Sequence, residues 1–111
     1  MKLNEYQNFC RETAFFTESD DIPTLAYLSI ALSGEVGELC NWVKKVYRDT
    51  DGVVLSEEHK RMKGELGDIL WYVSVLSAKL GFTLEEIAEY NKEKIKKRIE
   101  NGTERGSGDE R

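Results

Sequence analysis

The chain of 111 residues contains one histidine, one proline and two cysteines. A single histidine, His59, is too few for most zinc sites or for a serine-type catalytic triad. Cys10 and Cys40 belong to no paired motif, and each falls in a helical pattern. We therefore expect buried or half-buried thiols in a reducing compartment and no disulfide.

Long apolar runs and an excess of positive charge are also missing. No stretch approaches 18 uninterrupted apolar residues, so the sequence predicts no transmembrane helix, and the first ten residues lack the apolar core of a signal peptide. The net charge of −5 argues against a general nucleic-acid binder, which needs a basic face. A small phosphorylated ligand is still compatible, because bound cations reverse the local sign. We expect a cytoplasmic protein that binds neither nucleic acid nor membrane.

Helix start and stop signals are clear along the chain. Pro23 suits the first turn of a helix, Gly81 is a typical helix stop, and Thr83 with Glu86 forms a capping box. Asn4 and Ser56 are candidate N-caps. The predicted helices span 4–16, 23–48, 56–80 and 83–101.

Four helices with short connections predict an all-α fold, and specifically a four-helix bundle in a single domain over residues 1–101. Residues 102–111 form a polar, glycine-rich tail. The segment "ILWYVSVLSAKL" at 69–80 is apolar nearly all round, which calls for more neighbours than a small monomer offers. We therefore expect a homo-oligomer, either a homodimer or a homotetramer.

Two short segments repeat one pattern: "GEVGEL" at 34–39 and "GELGDI" at 64–69. In each copy the two acids are three residues apart, so they are neighbours on one helix face. The predicted turn at 49–52 lies midway between the copies, which puts them at equal height in an antiparallel hairpin. Four carboxylates are therefore expected to converge, those of Glu35, Glu38, Glu65 and Asp68.

Such a cluster is costly. Two like charges about 5 Å apart repel by roughly 3 kcal/mol at an effective dielectric of 20, so the acids must be protonated, paired or bound to cations. An all-oxygen cluster selects a hard cation, Mg²⁺ or Mn²⁺. The alternative is a solvated acidic face paired with nearby lysines, namely Lys44, Lys45, Lys60 and Lys63.

The glycines of the two copies are also costly, since glycine inside a helix loses about 1 kcal/mol relative to alanine. We expect Gly34, Gly37, Gly64 and Gly67 to allow close approach of another helix or of a ligand. Close packing alone would explain them without any catalysis.

At these residues the chain resembles the MazG-like, all-α nucleoside triphosphate pyrophosphohydrolases. Their signature is E-x-x-E, a spacer and E-x-x-D. Here the first part runs from Glu35 to Glu38, the spacer has 26 residues, and the second part runs from Glu65 to Asp68. The fourth helix matches an N-x-x-K-x-x-x-R pattern at Asn91, Lys94 and Arg98. The tail "GSGDER" is similar to the G-x-G-D-x-R ending of some small, often phage-type, members.

The resemblance implies Mg²⁺-dependent cleavage of a nucleoside or deoxynucleoside triphosphate between the α and β phosphates, giving a monophosphate and pyrophosphate. The role that goes with it is the removal of unwanted nucleotides. It implies that the four acids are metal ligands and that Asn91, Lys94 and Arg98 bind substrate. Glu38 is the candidate for orienting or deprotonating the attacking water. For Lys94 and Arg98, the alternative is a basic helix half that complements the macrodipole.

The sequence gives weaker evidence about base recognition. Tyr72 shares a helix face with Asp68 and is a candidate for stacking on a base. Gln7 is a candidate for reading a base edge, with plain surface polarity as the alternative. Three further aromatic residues are candidates for stacking on a base, with core packing as the alternative: Phe16, Trp42 and Trp71. Arg105 and Arg111 of the tail either close over phosphates, reach a neighbouring subunit or belong to a disordered end.

Two other functions stay open at this point. The first is a related bundle hydrolase that acts on dUTP, dCTP or phosphoribosyl-ATP. The second is a non-catalytic helical interaction module whose acids merely bind a cation. Retention of all four acids together with the fourth-helix pattern argues against the module.

Overall fold

The computed structural model describes residues 1–14, 21–103 and 105–108. These ranges contain four α-helices and no strand, which confirms the all-α class. The helices are α1 (Leu3–Thr13), α2 (Ile22–Thr50), α3 (Ser56–Lys79) and α4 (Leu84–Glu100). No helix in the described ranges is both long enough and apolar enough to cross a membrane.

The ends of α2 follow from local chemistry. At its start, the Asp21 carboxylate accepts a hydrogen bond of 3.0 Å from the backbone N–H of Thr24, and Pro23 occupies the first turn. At its end, α2 continues two residues beyond the predicted Arg48. Asp51 then adopts a left-handed conformation with φ 51°, which a short polar side chain tolerates.

The junction between α3 and α4 matches the sequence prediction. Gly81 has φ +85° and follows the end of α3. The capping box at the start of α4 is confirmed, since the Thr83 hydroxyl accepts a hydrogen bond from the backbone N–H of Glu86 at 3.1 Å. Ser56 is the first helical residue of α3 and not its N-cap.

The start of α1 differs from the prediction. The helix begins at Leu3, after Lys2, and Asn4 lies in its first turn. The side chain of Asn4 reaches α4 instead, where its amide oxygen accepts a hydrogen bond from the backbone N–H of Glu85 at 3.2 Å. The predicted end at Phe16 falls outside the described residues.

The helices pack in a series. The α2–α3 hairpin makes the most extensive contact, α1 packs on α3, and α4 packs on α1. Cys10, Leu28 and Val75, one residue from each of α1, α2 and α3, form the buried core. The indole N–H of Trp71 donates a hydrogen bond of 2.9 Å to the Thr13 hydroxyl, which fixes α1 against α3 beside this core. Within one chain the arrangement is therefore more open than a closed four-helix bundle.

Candidate metal centre

Three of the four predicted acids converge. One carboxylate oxygen from each of Glu35, Glu65 and Asp68 lies within 4.8 Å of the others. Glu35 comes from α2 and the other two from α3, so the antiparallel hairpin brings the two motif copies together as the sequence predicts. Glu35 and Glu65 are half-buried, and Asp68 is exposed.

Glu38 lies outside this group. Its side chain is exposed, and the set of converging oxygens does not include it. Its charge is still close enough to raise the pKa of Glu35. The fourth acid therefore stands beside the cluster, within electrostatic reach of it.

The cluster is electrostatically strained. The pKa of Glu35 is raised above its ordinary value, first by burial and then by the charges of Asp68, Glu65 and Glu38. Within the described residues, none of the four lysines considered above forms an ion pair with the cluster. Lys45 instead places its ammonium 4.7 Å from the centroid of the Trp42 ring. The paired-surface alternative is therefore not what the structure contains.

These residues fit a hard divalent cation. The donors are carboxylate oxygens from two helices, which is the ligand type that Mg²⁺ and Mn²⁺ prefer. A bound cation would also offset the mutual repulsion that raises the pKa of Glu35.

Two concavities flank the cluster and share Asp68. One, of about 330 Å³, is lined by Glu35, Asp68, Trp71 and Tyr72. The other, of about 260 Å³, is lined by Glu57, Lys60, Arg61, Gly64, Glu65 and Asp68. The first has aromatic walls, whereas the second combines two cationic side chains with three carboxylates, so the two sides of the cluster suit different parts of a ligand.

Tyr72 lies where the sequence predicts, beside the acids. Its ring meets that of Trp71 edge to face, with 4.9 Å between the centroids. The pKa of Tyr72 is raised, first by burial and then by Tyr27, Glu35 and Asp68. Tyr72 therefore forms part of the wall next to the metal-ligand candidates.

Gln7 lies inside the molecule, which does not fit the prediction of an exposed base-reading side chain. It is 5% exposed. Its amide nitrogen donates to the carbonyl oxygen of Phe82 at 2.9 Å and to that of Ser74 at 3.4 Å. Its amide oxygen accepts a hydrogen bond from the backbone N–H of Leu84 at 3.1 Å. The polar atoms of Gln7 are thus used to join α1 to the start of α4.

The α4 residues are not brought to the cluster within one chain. Asn91 is exposed, and Lys94 and Arg98 are half-buried. Neither concavity beside the cluster is lined by an α4 residue. The Lys94 ammonium lies 5.9 Å from the centroid of the Tyr90 ring.

The motif glycines make no close helix contact within the chain. A Cβ added at Gly34, Gly37, Gly64 or Gly67 would meet no neighbouring atom within 4 Å among the described residues. Close packing inside the monomer is therefore not their reason. Approach by a ligand remains as an explanation for Gly64, which lines the concavity at Lys60 and Arg61.

Comparison with known families decides the relationship. Residues 24–103 match the family model of the MazG nucleotide pyrophosphohydrolase domain. This chain belongs to the MazG family. The matched range contains the acidic cluster, both flanking concavities and the α4 triplet, and it leaves out α1.

A similar chain occurs in a phage. The sequence is 38% identical over 114 residues to the Gene 37 protein of Mycobacterium phage L5, and the alignment covers 100% of both chains. No solved structure matches the chain.

Sequence reasoning missed two groups of side chains that line concavities. Lys60 and Arg61 were considered only as surface charges or not at all, although their spacing from Asp68 puts them on its side of α3. Tyr27 was overlooked because it lies eight residues before Glu35, outside the motif. The described residues that line each concavity come from one helix: 57–68 of α3 for Lys60 and Arg61, and 21–27 at the start of α2 for Tyr27.

Proposed function

We propose that this MazG-family protein is a metal-dependent pyrophosphohydrolase that cleaves a nucleoside or deoxynucleoside triphosphate between the α and β phosphates. The products are a nucleoside monophosphate and pyrophosphate. The observation that carries the proposal is the convergence of three carboxylates from two helices within 4.8 Å, in a chain whose residues 24–103 match the pyrophosphohydrolase domain.

Glu35, Glu65 and Asp68 would hold the cation, for which Mg²⁺ is proposed and Mn²⁺ is the substitute. When bound, the metal supplies charge neutralisation at the phosphates and a lowered pKa of its water. An acidic site can receive a polyanionic substrate only when its own charge is offset in this way.

Glu38 is proposed to orient the attacking water and to take its proton. Its exposed carboxylate lies next to the three clustered acids and is not among their converging oxygens. Both of its oxygens can therefore accept a hydrogen bond from a water molecule. The water oxygen bonds to the α phosphorus, and the bond from that phosphorus to the bridging oxygen breaks. Pyrophosphate leaves with the electron pair.

The two concavities suggest how the substrate lies. Lys60 and Arg61 line the one that would take the β and γ phosphates. The guanidinium of Arg61 is held by Glu57, at 3.0 Å from Nε, and lies 5.9 Å from the centroid of the Trp42 ring. The Glu57 contact uses Nε and leaves the terminal Nη groups, which suit a phosphate. Tyr72 would then face the nucleoside on the other side of Asp68.

Self-association is part of the proposal. Asn91, Lys94 and Arg98 lie on one face of α4 and do not line either concavity. In a homodimer or homotetramer, the α4 helix of a second copy could bring them to the triphosphate. Nucleotide-pool cleaning is the proposed role, because hydrolysis to the monophosphate removes a triphosphate from use by polymerases.

The test is a product assay over natural and modified NTPs and dNTPs, with and without Mg²⁺. We expect pyrophosphate and monophosphate in equal amounts, only with metal, and a fall in kcat of about 10²–10⁴-fold in Glu38→Gln. Glu100→Gln, which changes an exposed acid at the end of α4, is the matched control. Release of orthophosphate would move the scissile bond. Activity confined to dUTP, dCTP or phosphoribosyl-ATP would select that specialised hydrolase, and no turnover of any nucleotide would leave a metal-binding interaction module.

A further inference from the structure

A further concavity lies at Tyr27, a residue that the proposed reaction does not use. Tyr27 lies on α2, eight residues before Glu35, which is about 12 Å along the helix axis. It is 53% exposed. With Asp21, Pro23 and Thr24 it lines this concavity, which has a volume of about 340 Å³ and is separate from the two beside the cluster.

Helix register places Tyr27 on the Tyr72 side of the metal centre. In the α2–α3 hairpin, Glu35 lies opposite Asp68, so the position opposite Tyr72 is residue 31. Tyr27 is one turn beyond residue 31 on α2. The pKa of Tyr72 is raised first by burial and then by Tyr27, which agrees with this placement.

The chemistry of the Tyr27 concavity suits a base better than a phosphate. Tyr27 and Pro23 give it apolar walls, and none of the described residues that line it carries a positive charge. At about 340 Å³, the Tyr27 concavity alone lies at the lower end of the size range of small-molecule sites. The cationic side chains that suit phosphates lie on the opposite side of Asp68.

We propose that the base of the nucleotide extends past Tyr72 to Tyr27, and that Tyr27 is a specificity-determining residue which contacts the base. This inference rests on the proposed function for the identity of the ligand. Tyr27 stacks on the base or packs against its edge, and the size and polarity of its surroundings then decide which bases are accepted.

The test measures binding without turnover. Isothermal titration in the presence of Mg²⁺ compares α,β-imido analogues of the four dNTPs with inorganic tripolyphosphate, which has no base. In Tyr27→Ala we expect the affinity for the analogues to fall about tenfold, a change in the ratio between purine and pyrimidine analogues, and unchanged affinity for tripolyphosphate. Tyr27→Phe should keep most of the analogue affinity, because the ring is retained.

The matched control is Tyr47→Ala. Tyr47 is an exposed tyrosine of the same helix near the hairpin turn, at 76% exposure. We expect its removal to leave the affinities for the analogues and for tripolyphosphate unchanged.

Four results would overturn the inference: unchanged analogue affinity in Tyr27→Ala, an equal loss for tripolyphosphate, an equal loss in Tyr47→Ala, or a wild-type protein that binds no analogue. A changed sedimentation coefficient in Tyr27→Ala with unchanged affinities would assign Tyr27 to a subunit contact and would also overturn it. Tyr27-dependent binding by a protein that hydrolyses nothing would keep the base site and reject the proposed activity. Nucleotide hydrolysis with unchanged base selectivity in Tyr27→Ala would keep the proposed activity and reject the base site.

Discussion

At the scale of single residues, the four motif acids are not equivalent. Glu35 is half-buried and receives the charges of the other three, so its pKa is raised. Glu38 is exposed and stands outside the converging group. The sequence pattern treats the two as a symmetric pair, whereas the fold separates a strained position from a solvated one. The regular spacing of the motif does not predict this separation.

The strain at Glu35 predicts that its neutralisation stabilises the metal-free protein. Glu35→Gln removes one like charge and keeps the shape, so we expect Tm in EDTA at pH 7.5 to rise by about 2–4 °C. Mg²⁺ should raise the Tm of the wild type and raise that of the variant less, because a ligand is lost. Differential scanning fluorimetry measures both effects. The control is Glu12→Gln, which changes an exposed acid of α1. It should alter neither the Tm in EDTA nor the rise in Tm with Mg²⁺.

The pH dependence of this effect has a definite sign. The folded-state pKa of Glu35 lies above its ordinary value, so the charged form costs stability at a pH above that raised pKa. The cost disappears as pH falls through it and the carboxyl becomes protonated. The advantage of Glu35→Gln should therefore shrink on acidification. An advantage that grows towards low pH would contradict the assigned cause.

At the scale of helices, the first three backbone N–H groups of α4 all have side-chain acceptors. Gln7 takes the hydrogen bond from Leu84, Asn4 that from Glu85 and Thr83 that from Glu86. Two of the three acceptors come from α1. A helix start leaves these donors unpaired, so α1 supplies caps that α4 cannot provide for itself.

This junction predicts a structural role for Gln7. Gln7→Leu leaves the backbone N–H of Leu84 and the carbonyl of Phe82 without their partner in a buried place, so we expect the free energy of unfolding to fall by about 2–3 kcal/mol. Urea denaturation followed by circular dichroism measures it. Asn4→Ala, at the exposed part of the same junction, should cost about 1 kcal/mol or less. Unchanged stability with altered nucleotide preference would return Gln7 to the base site.

How much the sequence predicts also depends on the range of the interactions. The starts of α2 and α4 were predictable, because Pro23 and Thr83 act on backbone groups within a few residues. The convergence of Glu35 with Glu65 and Asp68 was predictable because a short turn sets the register of the hairpin. The true places of Asn4 and Gln7 were not predictable, since both side chains bond to residues near position 85, and no local pattern contains that contact.

At the scale of the whole molecule, the chain covers little of its apolar surface. Among the described residues, the buried hydrophobic side chains are Cys10, Leu28, Val46, Val75 and Leu84. Large apolar side chains on α2, α3 and α4 are exposed, including Ile30, Leu66, Leu70 and Ile99. The radius of gyration is 16.8 Å, against about 13 Å for a compact domain of this size. These features agree with the apolar all-round pattern that the sequence shows at 69–80.

This surface predicts that the protein self-associates in solution. Exposed apolar patches of this extent are typical of subunit contacts, so sedimentation at tens of micromolar should give a multiple of the 12.7 kDa chain mass. Leu70→Glu puts a charge on the exposed apolar face of α3 and should shift the protein towards monomer, because burying an unpaired carboxylate is costly. Lys96→Glu, a charge change on an exposed side chain of α4, is the control and should keep the assembly. A wild type that sediments as a monomer would contradict the prediction, and the single chain would then have to bind the triphosphate without α4.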